Sequence, residues 1–172
     1  MACFATLRPD RNRARPPGGP IVSDVVVHAQ MLVRRPVAEV FEAFVDPAIT
    51  THFWFSKGSD RLGPGKRVRW DWEMFGVGDT LVVREFEQDR KLRIQWDSDA
   101  TEVEWTFESR GDDATLVRIA TRGFRGDGGE LLAQAVDAKG GYTMVLAGLK
   151  AWLEHGIELG LVHDQFPDGC PG

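Results

Sequence analysis

The chain has 172 residues, of which 42% are hydrophobic and 27% charged, with a formal net charge of −5. This balance fits one globular domain with a sizeable core. No apolar run approaches the ~20 residues of a membrane span, and the N-terminal residues lack the apolar segment of a secretory signal.

Residues 1–22 carry Arg8, Arg11, Arg13 and Arg15 against Asp10, a net of +3 that leaves −8 for the rest. An acidic body argues against nucleic acid as a partner. The leader, rich in Pro and Gly, reads as a disordered basic leader rather than a nucleic-acid arm. Its abrupt change of composition predicts a native start at Val22. Cys3 and Cys170 sit at opposite ends, so no disulfide framework is expected and a reducing cytoplasm is the expected location.

From Ser23 to Arg34 the residues alternate, with Val25, Val27, Ala29, Met31 and Val33 on one parity, which predicts a first strand; His28 has the outward parity. Pro36 suits the start of a helix. Val37, Val40, Phe41, Phe44 and Val45 then follow at helical spacing. Asp46-Pro47 ends that helix and opens a second short one through Ile49 to Phe53. LGPGK at 62–66 is a turn, followed by a strand with Val68, Trp70, Trp72 and Met74 on one side. FGVGD at 75–79 is the next turn. The third strand, Thr80 to Glu87, has apolar residues on both parities (Leu81 and Val83, but also Val82 and Phe86), so its facing stays open.

The fourth strand places Leu92, Ile94 and Trp96 together, the fifth Val103, Trp105 and Phe107, and the sixth Val117 and Ile119 with Thr115 and Thr121. On the outward parity, Glu102, Glu104 and Glu108 of the fifth strand meet Lys91 and Arg93 on one side and Arg118 and Arg122 on the other. This predicts antiparallel strands, ordered as in the chain, with one solvated face. A helix runs from about Glu130 to about His155, with Gly140-Gly141 as a weak point. Tyr142, Val145, Leu146, Leu149, Trp152 and Leu153 form its apolar stripe. Residues 163–172 read as a C-terminal tail, so the domain is expected over 23–162.

Several strings resemble the helix-grip superfamily, also called START-like or SRPBCC: RRPVAEVFEAFVDPAITTHFW (34–54), GPGKRVRW (63–70), TLVRIATRGF (115–124) and GGYTMVLAGLKAWLEHG (140–156). They are most similar to its bacterial branch related to the C-terminal domain of heat-shock-protein-90 ATPase activators. The resemblance covers roughly residues 23–160. It implies an α+β fold, an antiparallel sheet of about six strands curved around a long C-terminal helix, with two short helices between strands 1 and 2. It also implies a cavity between sheet and helix that takes hydrophobic small molecules. Tyr142 stands where relatives usually carry Trp, and Thr121 where many carry His or another polar residue, which weakens any acid–base role at that position.

Parity turns Trp70, Trp72, Trp96, Trp105 and Phe107 toward the helix. With Phe53, Trp54, Thr121, Tyr142, Leu146 and Leu149 they form the expected ligand pocket, or else simply fill the core. Glu85 shares the parity of Leu81 and Val83. Facing inward it would be a carboxyl of raised pKa, suited to acid–base work; facing outward it would be a solvated strand residue. His52, beside Phe53 and Trp54, is the best-placed histidine for catalysis at a pocket mouth.

His28, His52, His155 and His163 make no i, i+4 pair and there is no CxxC, so no metal and no cofactor are expected. Lys66 is followed by Arg67 and position 60 is Asp, so no phosphate loop forms. No G-x-S-x-G is present. Arg110-Gly111-Asp112 and Arg125-Gly126-Asp127 read as turns. The sequence therefore predicts a domain that binds a small hydrophobic or aromatic molecule. A cyclase- or hydrolase-type enzyme and a chaperone-interaction module, the latter from the resemblance alone, are the alternatives.

Overall fold

Alternation decides which side of each strand is buried. In the computed structural model, which describes residues 25–169, the strands are β1 (Val27–Val33), β2 (Lys57–Gly58), β3 (Arg67–Trp72), β4 (Val77–Glu87), β5 (Lys91–Trp96), β6 (Glu102–Ser109) and β7 (Thr115–Arg122). They form one curved sheet in the order β1-β7-β6-β5-β4-β3-β2, every pair antiparallel. Between β1 and β2 lie α1 (Val37–Val45) and α2 (Pro47–Thr50); α3 (Gly128–His155) and α4 (Leu161–Asp164) follow the sheet. This is the α+β helix-grip architecture. The leader, the Val22 start and both cysteines lie outside the described residues.

The sheet has seven strands rather than about six. β2 spans two residues, too few for a periodic signal. The first strand lies beside the last, not beside the second. Met74 leaves the strand for a 3₁₀ turn over Glu73–Phe75, and β4 begins at Val77, inside the segment expected as a turn.

The inner face is continuous: Val68, Trp70 and Trp72 of β3, Leu92, Ile94 and Trp96 of β5, Val103, Trp105 and Phe107 of β6, and Thr115, Val117, Ile119 and Thr121 of β7 are all buried. On the outer face Lys91 pairs with Glu104, Arg93 with Glu102, Arg118 with Glu108 and Arg122 with Glu104. These exposed pairs add little energy individually, about 0–1 kcal/mol, but they mark the strand register.

The facing of β4 is settled by a β-bulge. Val83 pairs with Ile94 and Glu85 with Arg93, so β4 advances two residues while β5 advances one. Arg84 is the extra residue, and it shifts the alternation beyond it. Leu81 and Val83 are buried. Phe86, opposite the buried Leu92, sets its ring 5.3 Å from Phe41, edge to face.

Helix α3 runs unbroken through Gly140-Gly141. A capping box starts it: Asp127 Oδ1 accepts from the Gly129 and Glu130 amides at 2.9 and 3.0 Å, and Glu130 Oε2 accepts from the Asp127 amide at 3.0 Å. Gly156, in the left-handed region, ends it. Tyr142, Val145, Leu146 and Leu149 bury the stripe against the sheet, while Trp152 and Leu153 are half-buried. Lys139 and Lys150 donate to the carbonyls of His28 and Leu32, tying one flank of the helix to β1. The segment expected as a tail from 163 begins inside α4, and the Phe166 ring packs edge-on against Phe75, 6.2 Å away.

Candidate functional site

The local structure after α2 places three aromatics under α3. Asp46 caps α2 by accepting from the Ala48 amide at 2.9 Å. The buried Thr50 hydroxyl donates to the carbonyls of Ala43 and Asp46, locking α2 onto α1. The chain then turns through Phe53, Trp54 and Phe55, all buried. Gly148 lets α3 approach this turn. A Cβ there would stand 3.1 Å from Phe53 Cβ and 3.3 Å from Phe53 O.

All eleven expected pocket residues are buried, and the aromatic ones meet in one continuous group. Trp54 is at its centre, with ring centroids 4.9 Å from Trp70, 6.0 Å from Trp105 and 6.2 Å from Tyr142. Trp96 continues the group, 5.6 Å from Trp70 and 6.1 Å from Trp72. At the other end Phe44 links Phe53, Trp105 and Phe107 at 5.8, 5.9 and 5.7 Å. Leu146 and Leu149 roof the group from α3.

The polar atoms inside this apolar group are its chemical signature. The indole Nε1 of Trp54, Trp72 and Trp105, the Thr121 hydroxyl and the Tyr142 hydroxyl are all buried without a hydrogen-bond partner among the described residues. Thr121 Oγ1 and the Trp96 indole are near enough to the phenol to favour its ionised form, yet neither closes a hydrogen bond with it. Burial outweighs both and drives the Tyr142 pKa far upward, so the phenol keeps its proton. An orphaned buried polar group costs about 1–3 kcal/mol. Thr115, on the same strand as Thr121, shows the ordinary outcome: its hydroxyl donates to Arg35 O at 2.9 Å.

The two acid–base candidates lie elsewhere. Glu85 is on the outer face, because the bulge at Arg84 reverses its parity relative to Leu81 and Val83. There it contacts Lys91 at 3.1 Å and Arg93 at 3.3 Å. The hydrogen bond from Lys91 holds its pKa below the ordinary carboxylate value, the reverse of what an interior general acid requires. His52 turns away from the tryptophan group to stack on Trp152, centroids 3.8 Å apart and 16° from parallel, and its Nδ1 lies 2.5 Å from Glu158 Oε1. It joins the end of α2 to the end of α3.

Sequence reasoning missed Asp137. It lies four residues before Gly141 and eleven before Gly148, which puts it on their flank of α3. It is half-buried, and desolvation raises its pKa to about 6. A lone charge at the edge of a helical stripe carries no sequence mark of its depth.

Two further features bear on function. A surface groove between the β1–α1 and β6–β7 connections is lined by Arg34, Arg35 and Arg110, but these already pair with Glu154, Glu39 and Glu108. Among the described residues, no group of three or more His, Cys, Asp or Glu side chains is placed to hold a metal, and no helix is long and apolar enough to cross a membrane.

The family model described as "Activator of Hsp90 ATPase homolog 1-like protein" matches residues 34–154. No curated protein matches the chain. Among solved structures, a protein from Staphylococcus saprophyticus is similar at 27% identity and a TM-score of 0.69, over 78% of this chain and 96% of that one. DynU16, a putative protein in the dynemicin biosynthetic locus, is similar at 25% identity and a TM-score of 0.65, over 77% of this chain and 48% of that one. An HSP90 activator from Plasmodium falciparum shares the fold at 18% identity and a TM-score of 0.61, over 74% of this chain and 95% of that one.

Proposed function

Since this chain belongs to the activator of Hsp90 ATPase homologue 1-like family, we propose that it uses the helix-grip interior to bind a small hydrophobic or aromatic molecule between the sheet and α3. The observation that carries this reading is the set of five orphaned polar groups inside the aromatic cluster. A cluster that served only as core would be expected to pair such groups or replace them with apolar ones. An apolar concavity with a few convergent polar groups is the usual form of a small-molecule site. The similarity to about half of DynU16 adds support, since that is a putative protein in the dynemicin biosynthetic locus.

Tryptophan fluorescence tests the reading, because Trp54, Trp70, Trp96 and Trp105 surround the site. A ligand extracted from the native host should quench the emission, and Trp105→Phe should weaken its binding at least tenfold while leaving the fold intact. Equal affinity for wild type and variant would place binding elsewhere.

The family description favours a second reading, a chaperone-interaction module. It predicts stimulation of the ATPase of the host's own Hsp90-type chaperone by the purified chain. No stimulation and no co-precipitation would remove it.

A further inference from the structure

Helix α3 is fastened to the sheet along one flank, where Lys139 and Lys150 reach the carbonyls of His28 and Leu32 in β1. Its other flank carries Gly148, which meets the turn at Phe53, and Trp152 one helical turn further on. The chain after α3 runs back along this second flank. Glu158 reaches His52 at the end of α2, with Oε1 2.5 Å from Nδ1, while the His52 ring stacks on Trp152. Val162 is buried, and Phe166 meets Phe75 in the 3₁₀ turn that directly follows Trp72. Residues 156–166 therefore bridge α2, α3 and the Trp72 end of the sheet.

The polarity of this bridge is inverted. Glu158 turns in to His52, and the apolar neighbours Ile157 and Leu159 are left 50% and 45% exposed. A strap built only to stay in place would turn Ile157 and Leu159 in and leave the carboxylate in water. A partly exposed histidine–carboxylate contact is weak and easily broken. The stretch is also bounded by Gly156 and Gly160, both in the left-handed region at φ +66° and +63°, two points at which the chain can pivot. Resting on the ligand-binding reading above, we propose that residues 156–166 form a hinged lid over the unfastened flank of the interior, pinned shut by the His52–Glu158 contact, and that molecules enter between α3 and the Phe53–Phe55 turn when the pin breaks. Weakly held segments of this kind open far more often than the fold as a whole.

Hydrogen exchange of the indole Nε1–H groups, followed by NMR on the intact ligand-free chain, tests this with water as the probe. The indoles of Trp54, Trp72 and Trp105 are buried without a hydrogen-bond partner among the described residues, so their protection reports the access of water alone. His52→Ala and Glu158→Ala should each speed exchange at Trp54 and Trp72 threefold or more, with the backbone amides of β5 and β6 unchanged. Lys139→Met, which loosens the opposite flank, should leave the indole rates at their wild-type values. If His52→Ala fails to fold, Glu158→Ala decides, since Glu158 lies on the surface. Unchanged indole rates in the pin variants overturn the lid. So does a rise shared equally by the β5 and β6 amides, which is general loosening, or an equal rise in Lys139→Met, which places entry beside β1. Each of these results leaves the ligand-binding reading standing, because that reading is decided separately by the fluorescence titration.

Discussion

Thr115 and Thr121 lie six residues apart on β7, on the same face and almost completely buried. They differ in one respect: the Thr115 hydroxyl donates to Arg35 O at 2.9 Å, and the Thr121 hydroxyl has no partner among the described residues. Replacing each with Val keeps the shape and β-branching while removing the hydroxyl, so the pair isolates the hydrogen bond. Thr115→Val breaks a buried bond and strands a carbonyl, and is expected to cost about 1–3 kcal/mol. Thr121→Val removes an orphan from an apolar setting. It is expected to be neutral to stabilising in the ligand-free protein, by up to about 1–3 kcal/mol. The two variants should therefore differ by at least about 1 kcal/mol, or about 2–4 °C in Tm for a domain of this size. Urea unfolding of protein stripped and refolded without ligand reads the difference, with an unchanged m-value confirming that both variants unfold the same structure. If Thr121→Val loses as much stability as Thr115→Val, the Thr121 hydroxyl is bonded in solution and the argument from orphaned groups fails.

Other expectations follow from the electrostatics. Asp137 has a folded pKa raised to about 6, so the folded state binds more protons than the unfolded one between about pH 4 and 6, and stability falls as pH rises through that window. Asp137→Asn should remove this dependence, gaining about 1 kcal/mol at pH 8 over pH 4 once the exposed part of the side chain is allowed for; urea titrations at the two pH values check it, and an unchanged pH slope would contradict it. Glu85 has a lowered folded pKa, so its contribution is present above the unfolded carboxylate pKa and lost as pH falls through the folded one. Glu85→Gln should therefore weaken the protein slightly at neutral pH and low salt, with the loss fading as salt is raised and ligand affinity unchanged. Loss of ligand binding in that variant would return Glu85 to the interior. Gly148→Ala should destabilise by a net of about 0.5–2 kcal/mol, because its Cβ crowds Phe53 Cβ and O, fixed to the turn, by more than the roughly 1 kcal/mol that alanine gains in helix propensity; a thermal melt at or above the wild-type Tm would refute that packing.

Much of this architecture is legible in the sequence because burial has a period. The α3 stripe from Tyr142 to Leu149 and the alternation around Trp70, Trp96 and Trp105 follow from one buried face each. The features that escape are those fixed by a neighbour. Nothing in β1 names β7 as its partner, and two residues of β2 make no pattern. β4 is instructive: its apolar residues on both parities, Leu81 and Val83 against Phe86, are the trace of a bulge, and reading Glu85 by parity across that bulge turns it to the wrong side. His52 misleads for a different reason. Its neighbours Phe53 and Trp54 are buried, but the tight turn after α2 points His52 outward onto Trp152. Parity places Thr121 inside, yet whether its hydroxyl has a partner depends on Tyr142 and Trp96, contributed by other elements. Asp137 is similar, since its depth depends on what α3 packs against.

Native mass spectrometry of the protein purified from its original host tests the central claim most directly. The account predicts a noncovalent adduct of a few hundred daltons that is lost on denaturation and is depleted in the Trp105→Phe protein prepared the same way. The bare polypeptide mass, before and after denaturation alike, would contradict it.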